Sequence, residues 1–303
     1  MSAPLAHSHS HPHAHVHASE RKLMLAFVLT TVAMLAEAAG GFLAGSLALL
    51  ADAGHMLADT LALMLAWISA HLARRPADAQ RSFGYARFEV LAAYTNALAQ
   101  AALSIWIAAE AVSRFASPQP IHDGLMLVVA LAGLAINALV LGVLGQHDHD
   151  DLNHAGARLH VIGDLLGSLG AVVAALLIRG YAWLWADAAT SVLVAALILA
   201  GALGLLRRSA HILLEGTPEG AESALVAASV RAHVGGVDDV HHVHVWQLAG
   251  GSRMATLHVR LAEGVAAASA LAEIQHALHQ HFHIAHATVQ IEHGHCHGED
   301  CAH

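Results

Sequence analysis

The chain has few charged residues, few aromatic residues and almost no cysteine. Only 12% of its 303 residues are charged, whereas about a quarter are charged in an ordinary soluble domain. This shortage excludes an ordinary water-soluble enzyme and disorder over most of the chain. Aromatic residues make up 5%, and Cys296 and Cys301 are the two cysteines. They cannot form a disulfide framework, which places their domain in a reducing compartment.

What remains is an apolar composition that is rich in histidine. Hydrophobic residues make up 56% of the chain, and the net charge is −9 with histidine neutral. An acidic balance gives no reason to expect a nucleic-acid partner. Histidine occurs 28 times, and imidazole is a preferred ligand of zinc. The composition therefore indicates a protein that handles metal.

Six apolar stretches follow a polar segment over residues 1–20, and each is near the ~20 residues that cross a bilayer as a helix. The polar segment lacks the basic region and apolar core of a secretory signal. The apolar stretches predict transmembrane helices at about 23–43, 46–71, 89–113, 121–145, 156–178 and 183–206.

Basic residues lie mainly on one side of the predicted spans, which sets their orientation. One side carries Arg21, Lys22, Arg74, Arg75, Arg81, Arg87, Arg158, Arg207 and Arg208. The other side carries Arg114 and Arg179. Because basic loops stay in the cytoplasm, the N-terminus, the loops after spans two and four, and the C-terminal domain are predicted to be cytoplasmic.

From about residue 209 the pattern becomes that of a soluble domain. Helical spacing and β-rich segments alternate in the order helix 220–234, strand 239–248, strand 254–262, helix 266–282 and strand 287–292. This order predicts a small α+β sandwich, with both helices on one face of a three-stranded sheet.

Two predicted spans each contain a His-x-x-x-Asp pair. His55 and Asp59 lie in span two, and His160 and Asp164 lie in span five. Residues four apart share one face of a helix, and an ionisable residue within a membrane helix is a functional candidate. Two nitrogens and two carboxylates form a complete tetrahedral set for a zinc-like ion. The alternative is that each histidine bonds its own helix or a neighbouring polar group.

Motifs over nearly the whole chain resemble those of the cation diffusion facilitator family, in particular its bacterial zinc-exporting branch. They are SLALLADAGHMLAD, RRPADAQRSFGYARFEVLAA, HVIGD, LLEGTP, GVDDVHHVHVWQL and HATVQIE. The resemblance implies a homodimer of six-helix protomers with ferredoxin-like cytoplasmic C-terminal domains. It implies metal export from the cytoplasm in exchange for protons, across the bacterial inner membrane. It also implies that the two His-x-x-x-Asp pairs are the transport ligands.

The chemistry of these ligands favours zinc as the cargo. Imidazole suits zinc, cobalt, nickel or copper, whereas carboxylate-only sites suit harder ions such as manganese. His55 therefore indicates zinc, with cadmium or cobalt as competitors. Asp52 also matches the family pattern, but it lies off the face of His55 and Asp59, and a structural or access role is predicted for it.

Further metal sites are suggested by the resemblance. In the loop after span two, family members with a loop site have histidines where this chain has Arg81 and Tyr85 beside Asp78. That loop site is predicted to be absent here, because a cation beside the remaining carboxylate repels a metal.

In the C-terminal domain, the resemblance implies a regulatory site near the dimer interface, formed by His241, His258 and Glu292. The alternative is that His258 faces solvent and Glu292 caps a sheet edge. A second and weaker prediction is a tail cluster of His286, Cys296 and Cys301.

The remaining histidines are predicted to be accessory. Solvated or half-buried polar faces are expected for His242, His244, His276, His279, His281 and His283. Spaced histidines in the N-terminal segment and in the loop before span five favour weak zinc capture, or simply a tolerated polar tail. These spaced histidines are His7, His9, His11, His13, His15, His17, His147, His149 and His154.

The predicted organisation is a histidine-rich tail (1–20), a transport domain (21–208), a cytoplasmic domain (209–293) and a short tail (294–303). No GxxxxGK[ST] motif occurs, so the energy for transport is expected from protons rather than from a nucleotide. Two rival functions are compatible with such ligands: a membrane zinc sensor or store without flux, and an intramembrane metallohydrolase. The hydrolase is disfavoured because four protein ligands leave no position for water.

Overall fold

The fold is described from a computed structural model that covers residues 13–73, 75–144, 152–248 and 251–292. Six long helices come first, namely α1 (His13–Ala44), α2 (Leu47–Ala73), α3 (Arg87–Ala116), α4 (Asp123–Leu144), α5 (Leu152–Tyr181) and α6 (Trp185–Leu213). Each is long and apolar enough to cross a membrane. A smaller set follows, namely α7 (Ser223–His233), β1 (Val237–Gln247), β2 (Arg253–Leu261), α8 (Ala267–Phe282) and β3 (Ile284–Glu292).

All six predicted spans are confirmed as helices, but several helices extend beyond their apolar stretches. The largest extension is in α1, which begins at His13 inside the histidine-rich segment rather than at residue 23. Pro12 stands directly before it, and no proline or glycine interrupts residues 13–22. Hydropathy marks only the part of a helix that suits lipid, whereas the helix continues until a breaker stops it.

The chain divides into two compact units. The first comprises residues 1–61 and 99–202, where α4 packs against both α1 and α5. Its buried core is dominated by alanine, including Ala44, Ala130, Ala171 and Ala175. Small side chains let helix backbones approach closely, which is how helices associate in a membrane without a hydrophobic driving force.

The start of α2 is held by a carboxylate from α6. Asp187, which is fully buried, accepts hydrogen bonds from the backbone N–H groups of Leu47 and Ala48 at 2.8 and 3.1 Å. The Ser46 hydroxyl donates to the same carboxylate at 2.6 Å. The first N–H groups of a helix have no partner within the helix, so this long-range cap anchors the helix that carries His55 and Asp59.

The second unit comprises residues 62–98 and 203–303, and it contains the small sheet. The strand order is β1-β2-β3, with β1 and β2 antiparallel and β2 and β3 parallel. Helix α7 packs on β1, α8 packs on β3, and the two helices contact each other. The predicted α+β domain with a three-stranded sheet is confirmed.

A single core holds this α+β domain together. Its largest fully buried side chains include Val226, Leu257, Ile274 and Leu278. These residues come from α7, β2 and α8, so the core lies between the sheet and the helices. Fully burying a side chain of this size contributes about 1.5–3 kcal/mol relative to exposure.

Candidate metal sites

Three of the four predicted membrane ligands lie together in the first unit. His55 and Asp59 are one turn apart on α2, with His55 Nε2 3.4 Å from Asp59 Oδ2. Asp164 of α5 places its Oδ1 3.9 Å from the same nitrogen. One ligand atom from each residue lies within 4.8 Å of the other two. Two carboxylates and one imidazole thus converge between two membrane helices, which is a donor set that a divalent metal accepts.

Burial differs among these three residues. Asp164 is 1% exposed, whereas the His55 and Asp59 side chains are 24% and 21% exposed. A buried carboxylate in an apolar helix is expensive unless it is paired. This difference in exposure leaves the side of the cluster formed by His55 and Asp59 accessible, whereas the side formed by Asp164 is enclosed. Such an arrangement suits a site that an ion enters and leaves.

The fourth predicted ligand, His160, lies in α5 one turn before Asp164. The backbone there is helical, so the two residues share a helix face. The side chains of residues 152–162 lie outside what the structure describes. His160 therefore stays a predicted ligand.

Gln100 of α3 is a neighbour of the cluster that the sequence did not suggest. Its Nε2 donates a 3.1 Å hydrogen bond to Asp59 Oδ1. Close approach of α3 is permitted by Gly54, where a Cβ would lie 2.9 Å from Leu103 Cδ2. A glutamine within an apolar span was the available signal, but the residue that it contacts is 41 positions away in sequence.

Behind the cluster lies a second group of buried polar residues. Asp52, 2% exposed, accepts a 3.1 Å hydrogen bond from Ser168 Oγ, which itself accepts one from Asn137 Nδ2 at 3.1 Å. Asp52 therefore ties α2 to α5. Since it stands three residues before His55 and seven before Asp59 in one helix, it shares their side of α2, and the prediction that it lies off their face is wrong. Glu37 of α1 is fully buried in the same region, and a Cβ at Gly133 would collide with its Oε1. Glu37 was missed although an isolated acid in an apolar span is itself a signal.

The loop before α3 brings together the residues considered for an additional metal site. Tyr85 Oη donates to Asp78 Oδ2 at 3.5 Å, and Arg81 Nη1 lies 3.9 Å from the same oxygen. The backbone N–H groups of Gln80 and Arg81 also donate to Asp78. These bonds, together with the Arg81 charge, lower the pKa of Asp78 below its ordinary value. An arginine side chain thus stands where a metal ligand would be required.

In the second unit, His241, His258 and Glu292 come together from three strands. His241 and His258 are directly opposite in the β1–β2 pairing. Glu292 Oε1 lies 2.9 Å from His258 Nδ1, and Glu292 Oε2 lies 3.2 Å from His241 Nε2. One ligand atom from each residue lies within 4.8 Å of the other two. The contact between His258 and Glu292 argues against the alternative of an exposed histidine and a carboxylate that only caps an edge.

Other predicted histidines are less closely grouped. His286 is exposed on β3 opposite Met254, while Cys296 and Cys301 lie outside the described residues, so the tail cluster stays a prediction. His244, His276, His279, His281 and His283 are exposed, and His242 is half-buried. The spaced histidines of the N-terminal segment and of the loop before α5 lie outside the residues or the side chains that the structure describes. They are His7, His9, His11, His13, His15, His17, His147, His149 and His154.

Two family models match the chain. The model described as the cation efflux transmembrane domain matches residues 23–214. A second model, named for dimerisation and described as the cytoplasmic domain of cation efflux proteins, matches residues 218–294. Between them they cover both units of the structure and both clusters of candidate ligands.

Named relatives align over almost the entire chain. Zinc transporter ZitB of Escherichia coli is 44% identical over 297 residues, which is 98% of this chain and 95% of the relative. The cadmium, cobalt and zinc/H(+)-K(+) antiporter of Bacillus subtilis is 39% identical over 280 residues, covering 91% and 89%. Cation efflux system protein CzcD of Alcaligenes sp. is 40% identical over 285 residues, covering 94% and 90%.

Proposed function

Since the chain belongs to the cation efflux family, a family of multi-pass membrane transporters rather than enzymes, we propose that it exports Zn²⁺ from the cytoplasm in exchange for protons. The observation that carries this proposal is the convergence of His55, Asp59 and Asp164 from two membrane helices. His160, one helical turn before Asp164, supplies the fourth ligand. The set is then two nitrogens and two oxygens, which suits tetrahedral zinc.

Zinc is favoured over harder ions by the imidazole donors. The names of the relatives agree, since one is a zinc transporter and another names cadmium, cobalt and zinc. Cadmium and cobalt are therefore the expected competitors. A carboxylate at position 55 would remove one nitrogen donor and make the site more suitable for manganese.

Exchange with protons follows from the ligands themselves. Zinc requires ionised Asp59 and Asp164 and neutral imidazoles, so protons and zinc compete for the same atoms. When the site opens to the outside, where proton activity is higher, protonation releases the ion. When the protonated site opens to the cytoplasm, zinc displaces the protons. The cycle needs no nucleotide, because the proton gradient supplies the energy.

The same proposal includes orientation and assembly. The distribution of basic residues supports a cytoplasmic position for both termini, and the C-terminal match to a cytoplasmic domain also supports it. The bacterial relatives support the inner membrane as the location. The match to a model named for dimerisation supports a homodimer.

We further propose that His241, His258 and Glu292 hold a regulatory zinc. Their ligand atoms lie outside the membrane helices, so this ion is not the cargo. A metal bound there joins three strands and stabilises one arrangement of the domain. Cytoplasmic zinc would then raise the affinity or rate of the distant transport site, which is a coupling between two sites.

Zinc flux in proteoliposomes tests the transport proposal. Purified protein is reconstituted with an internal zinc indicator, and uptake is measured with and without a pH gradient. We expect Asp59→Ala and Asp164→Ala to abolish uptake while the proteins remain folded, and Asp123→Ala, at the start of α4, to leave it intact. Equal zinc rates with and without the gradient would refute proton coupling. Absence of any flux would favour a sensor or a store.

Selectivity and regulation are tested in the same vesicles. His55→Asp is expected to lower the preference for zinc over manganese, and an unchanged preference would refute the role of His55. His241→Ala and His258→Ala are expected to keep basal transport but lose its dependence on zinc at the cytoplasmic face. Variants that respond to cytoplasmic zinc like the parent would leave the domain without a regulatory metal.

A further inference from the structure

Two consecutive histidines of β1 lie beside the cytoplasmic cluster. In a regular strand, consecutive side chains point to opposite faces of the sheet. The β1–β2 register shifts between His241 and His244, and His242 adopts a left-handed backbone conformation with φ +48°. A bulge of this kind changes the direction of a side chain. It brings the His242 ring to the side of the sheet where His241 lies.

The three imidazole rings of this region are close to one another. The His242 ring centroid lies 5.1 Å from that of His258, with the rings nearly parallel, and 5.5 Å from that of His241. The His241 and His258 centroids are also 5.5 Å apart. The three rings and the Glu292 carboxylate therefore form one contiguous group, in which His241, His258 and Glu292 bring ligand atoms within 4.8 Å of one another and the His242 ring lies alongside.

Three side-chain atoms of this group are buried without a hydrogen bond of acceptable geometry among the described residues, although two of them, His241 Nε2 and Glu292 Oε2, lie 3.2 Å apart. The third atom is His242 Nε2. A buried polar atom that makes no hydrogen bond destabilises the fold, and a left-handed conformation at a residue other than glycine adds a further cost. Both costs are accounted for if the three atoms bind a metal ion.

Asp239 determines which nitrogen of His241 is available. Its Oδ2 lies 3.1 Å from His241 Nδ1, and a carboxylate only accepts, so a proton on Nδ1 satisfies this contact and, in the proposed metal-bound site, leaves the lone pair of Nε2 for the ion. Arg231 Nη1, 3.7 Å from Asp239 Oδ1, holds the carboxylate from the other side. A carboxylate behind a histidine in this way is the usual support of a metal-ligating imidazole.

We propose that His242 is the fourth ligand of the cytoplasmic zinc and that Asp239 is a positioning residue for His241, an inference that rests on the regulatory site proposed above. Three nitrogens and one carboxylate oxygen then form a closed tetrahedral set within one protomer. A closed set leaves no position for water or substrate. The ion therefore acts through the arrangement of the domain rather than on a substrate, with zinc or cobalt as the fitting metals.

Metal binding to the full-length protein tests this assignment. The transport site is silenced in every sample by Asp59→Ala and Asp164→Ala. Zinc affinity is measured by competition with a chromophoric chelator, and coordination is measured from the visible spectrum of bound Co²⁺. His242→Asn is the central variant, because asparagine tolerates the left-handed conformation but lacks the imidazole.

We expect His242→Asn to weaken zinc at this site by at least about tenfold and to remove the tetrahedral Co²⁺ spectrum. His244→Asn, at an exposed position of the same strand, is the matched control and is expected to bind like the parent. Asp239→Asn is expected to weaken zinc by about 10-fold to 100-fold, because an amide can donate to Nδ1 and turn the Nε2 proton towards the cluster.

The outcomes separate this inference from the proposal beneath it. If His241→Ala and His258→Ala bind as much zinc as the parent, the cluster holds no metal and the regulatory proposal is wrong. If those variants lose the zinc while His242→Asn retains parental affinity and spectrum, only the role of His242 is wrong. Thermal unfolding without metal identifies any variant that fails to fold. If His242→Asn fails to fold, zinc binding by His242→Gly, which also tolerates positive φ, shows whether the imidazole is a ligand.

Discussion

The carboxylate of Asp187, in the first turn of α6, accepts a 2.8 Å hydrogen bond from the backbone N–H of Leu47, in the first turn of α2. This bond joins residues that are 140 positions apart in the sequence. Arg114 of α3 lies 3.8 Å from the same carboxylate and donates a 2.7 Å bond to the Gly45 carbonyl. One buried acid thus ties together the ends of three membrane helices.

Replacing Asp187 with Ala is expected to destabilise the protein by at least about 2 kcal/mol, because both a helix cap and the partner of a half-buried arginine are lost. Ser46→Ala removes one donor and should cost about 1 kcal/mol. Thermal unfolding in detergent measures both changes. Asp238→Ala, at an exposed position of β1, is the control for loss of an acid. Equal melting temperatures for Asp187→Ala and the control would show that the cap is dispensable.

Replacing Gly133 with Ala is expected to destabilise the helix bundle by about 1–3 kcal/mol through overpacking, because the new methyl group collides with Glu37 Oε1. Gly142→Ala on the same helix is the matched control, since nothing lies within 4 Å of a Cβ there. That control should be neutral or slightly stabilising. Glu37→Asp shortens the acid, so adding it to Gly133→Ala should recover part of the lost stability. If the two substitutions instead destabilise the protein additively, the collision with Glu37 is not the cause of the loss.

Replacing Gln100 with Ala is expected to raise the zinc concentration for half-maximal transport by about tenfold, because Asp59 loses the donor that orients its carboxylate. Zinc uptake into everted vesicles, as a function of zinc concentration, measures the change. Thr95→Ala on the same helix is the control, since the Thr95 hydroxyl donates to the Leu91 carbonyl of its own helix. A Gln100 variant with parental zinc dependence would show that Asp59 needs no support from α3.

Converting the loop before α3 to Arg81→His together with Tyr85→His is expected to create a zinc site that the parent lacks. The two side chains already converge on Asp78, so the exchange replaces a cation and a phenol with two imidazoles beside a carboxylate. Metal analysis after dialysis should find one additional zinc per protomer. Adding Asp78→Ala should remove it again. Equal zinc content in the parent and the double variant would contradict the role assigned to Arg81.

Deleting residues 1–20 is expected to lower transport only at low zinc, because spaced histidines capture zinc weakly and the proposed membrane ligands belong to α2 and α5. Uptake at limiting and saturating zinc distinguishes the two regimes. The deletion also removes the first turns of α1, so thermal unfolding is measured in parallel. Complete loss of uptake by a folded truncation would make the segment essential.

The six membrane helices and the α+β domain were predictable because their signals are local. Apolar length marks a span, and alternation or helical spacing marks the elements of the domain. The pairing of His55 with Asp59 is also local, since it depends only on residues four apart. The beginning of α1 at His13 was not predicted, because polar residues beyond the apolar stretch carry no hydropathy signal.

The contacts that were missed depend on the tertiary structure. Gln100 reaches Asp59 from another helix, and Asp187 caps a helix far away in sequence. The bulge at His242 is set by the pairing of β1 with β2, whereas the sequence alone suggested an ordinary polar face. An ionisable residue in an apolar span stands out in a single sequence, but its partner is defined only once the helices pack together.

The position of Glu292 at the end of the last strand has a consequence for the maturation of the protein. Ribosomes complete all six membrane helices before they reach β3, and Glu292 joins His258 only after β3 pairs in parallel with β2. A nascent chain therefore cannot assemble the cytoplasmic cluster while it is being inserted into the bilayer. On the proposal that this cluster binds zinc, an occupied cluster marks a protomer whose last strand has paired.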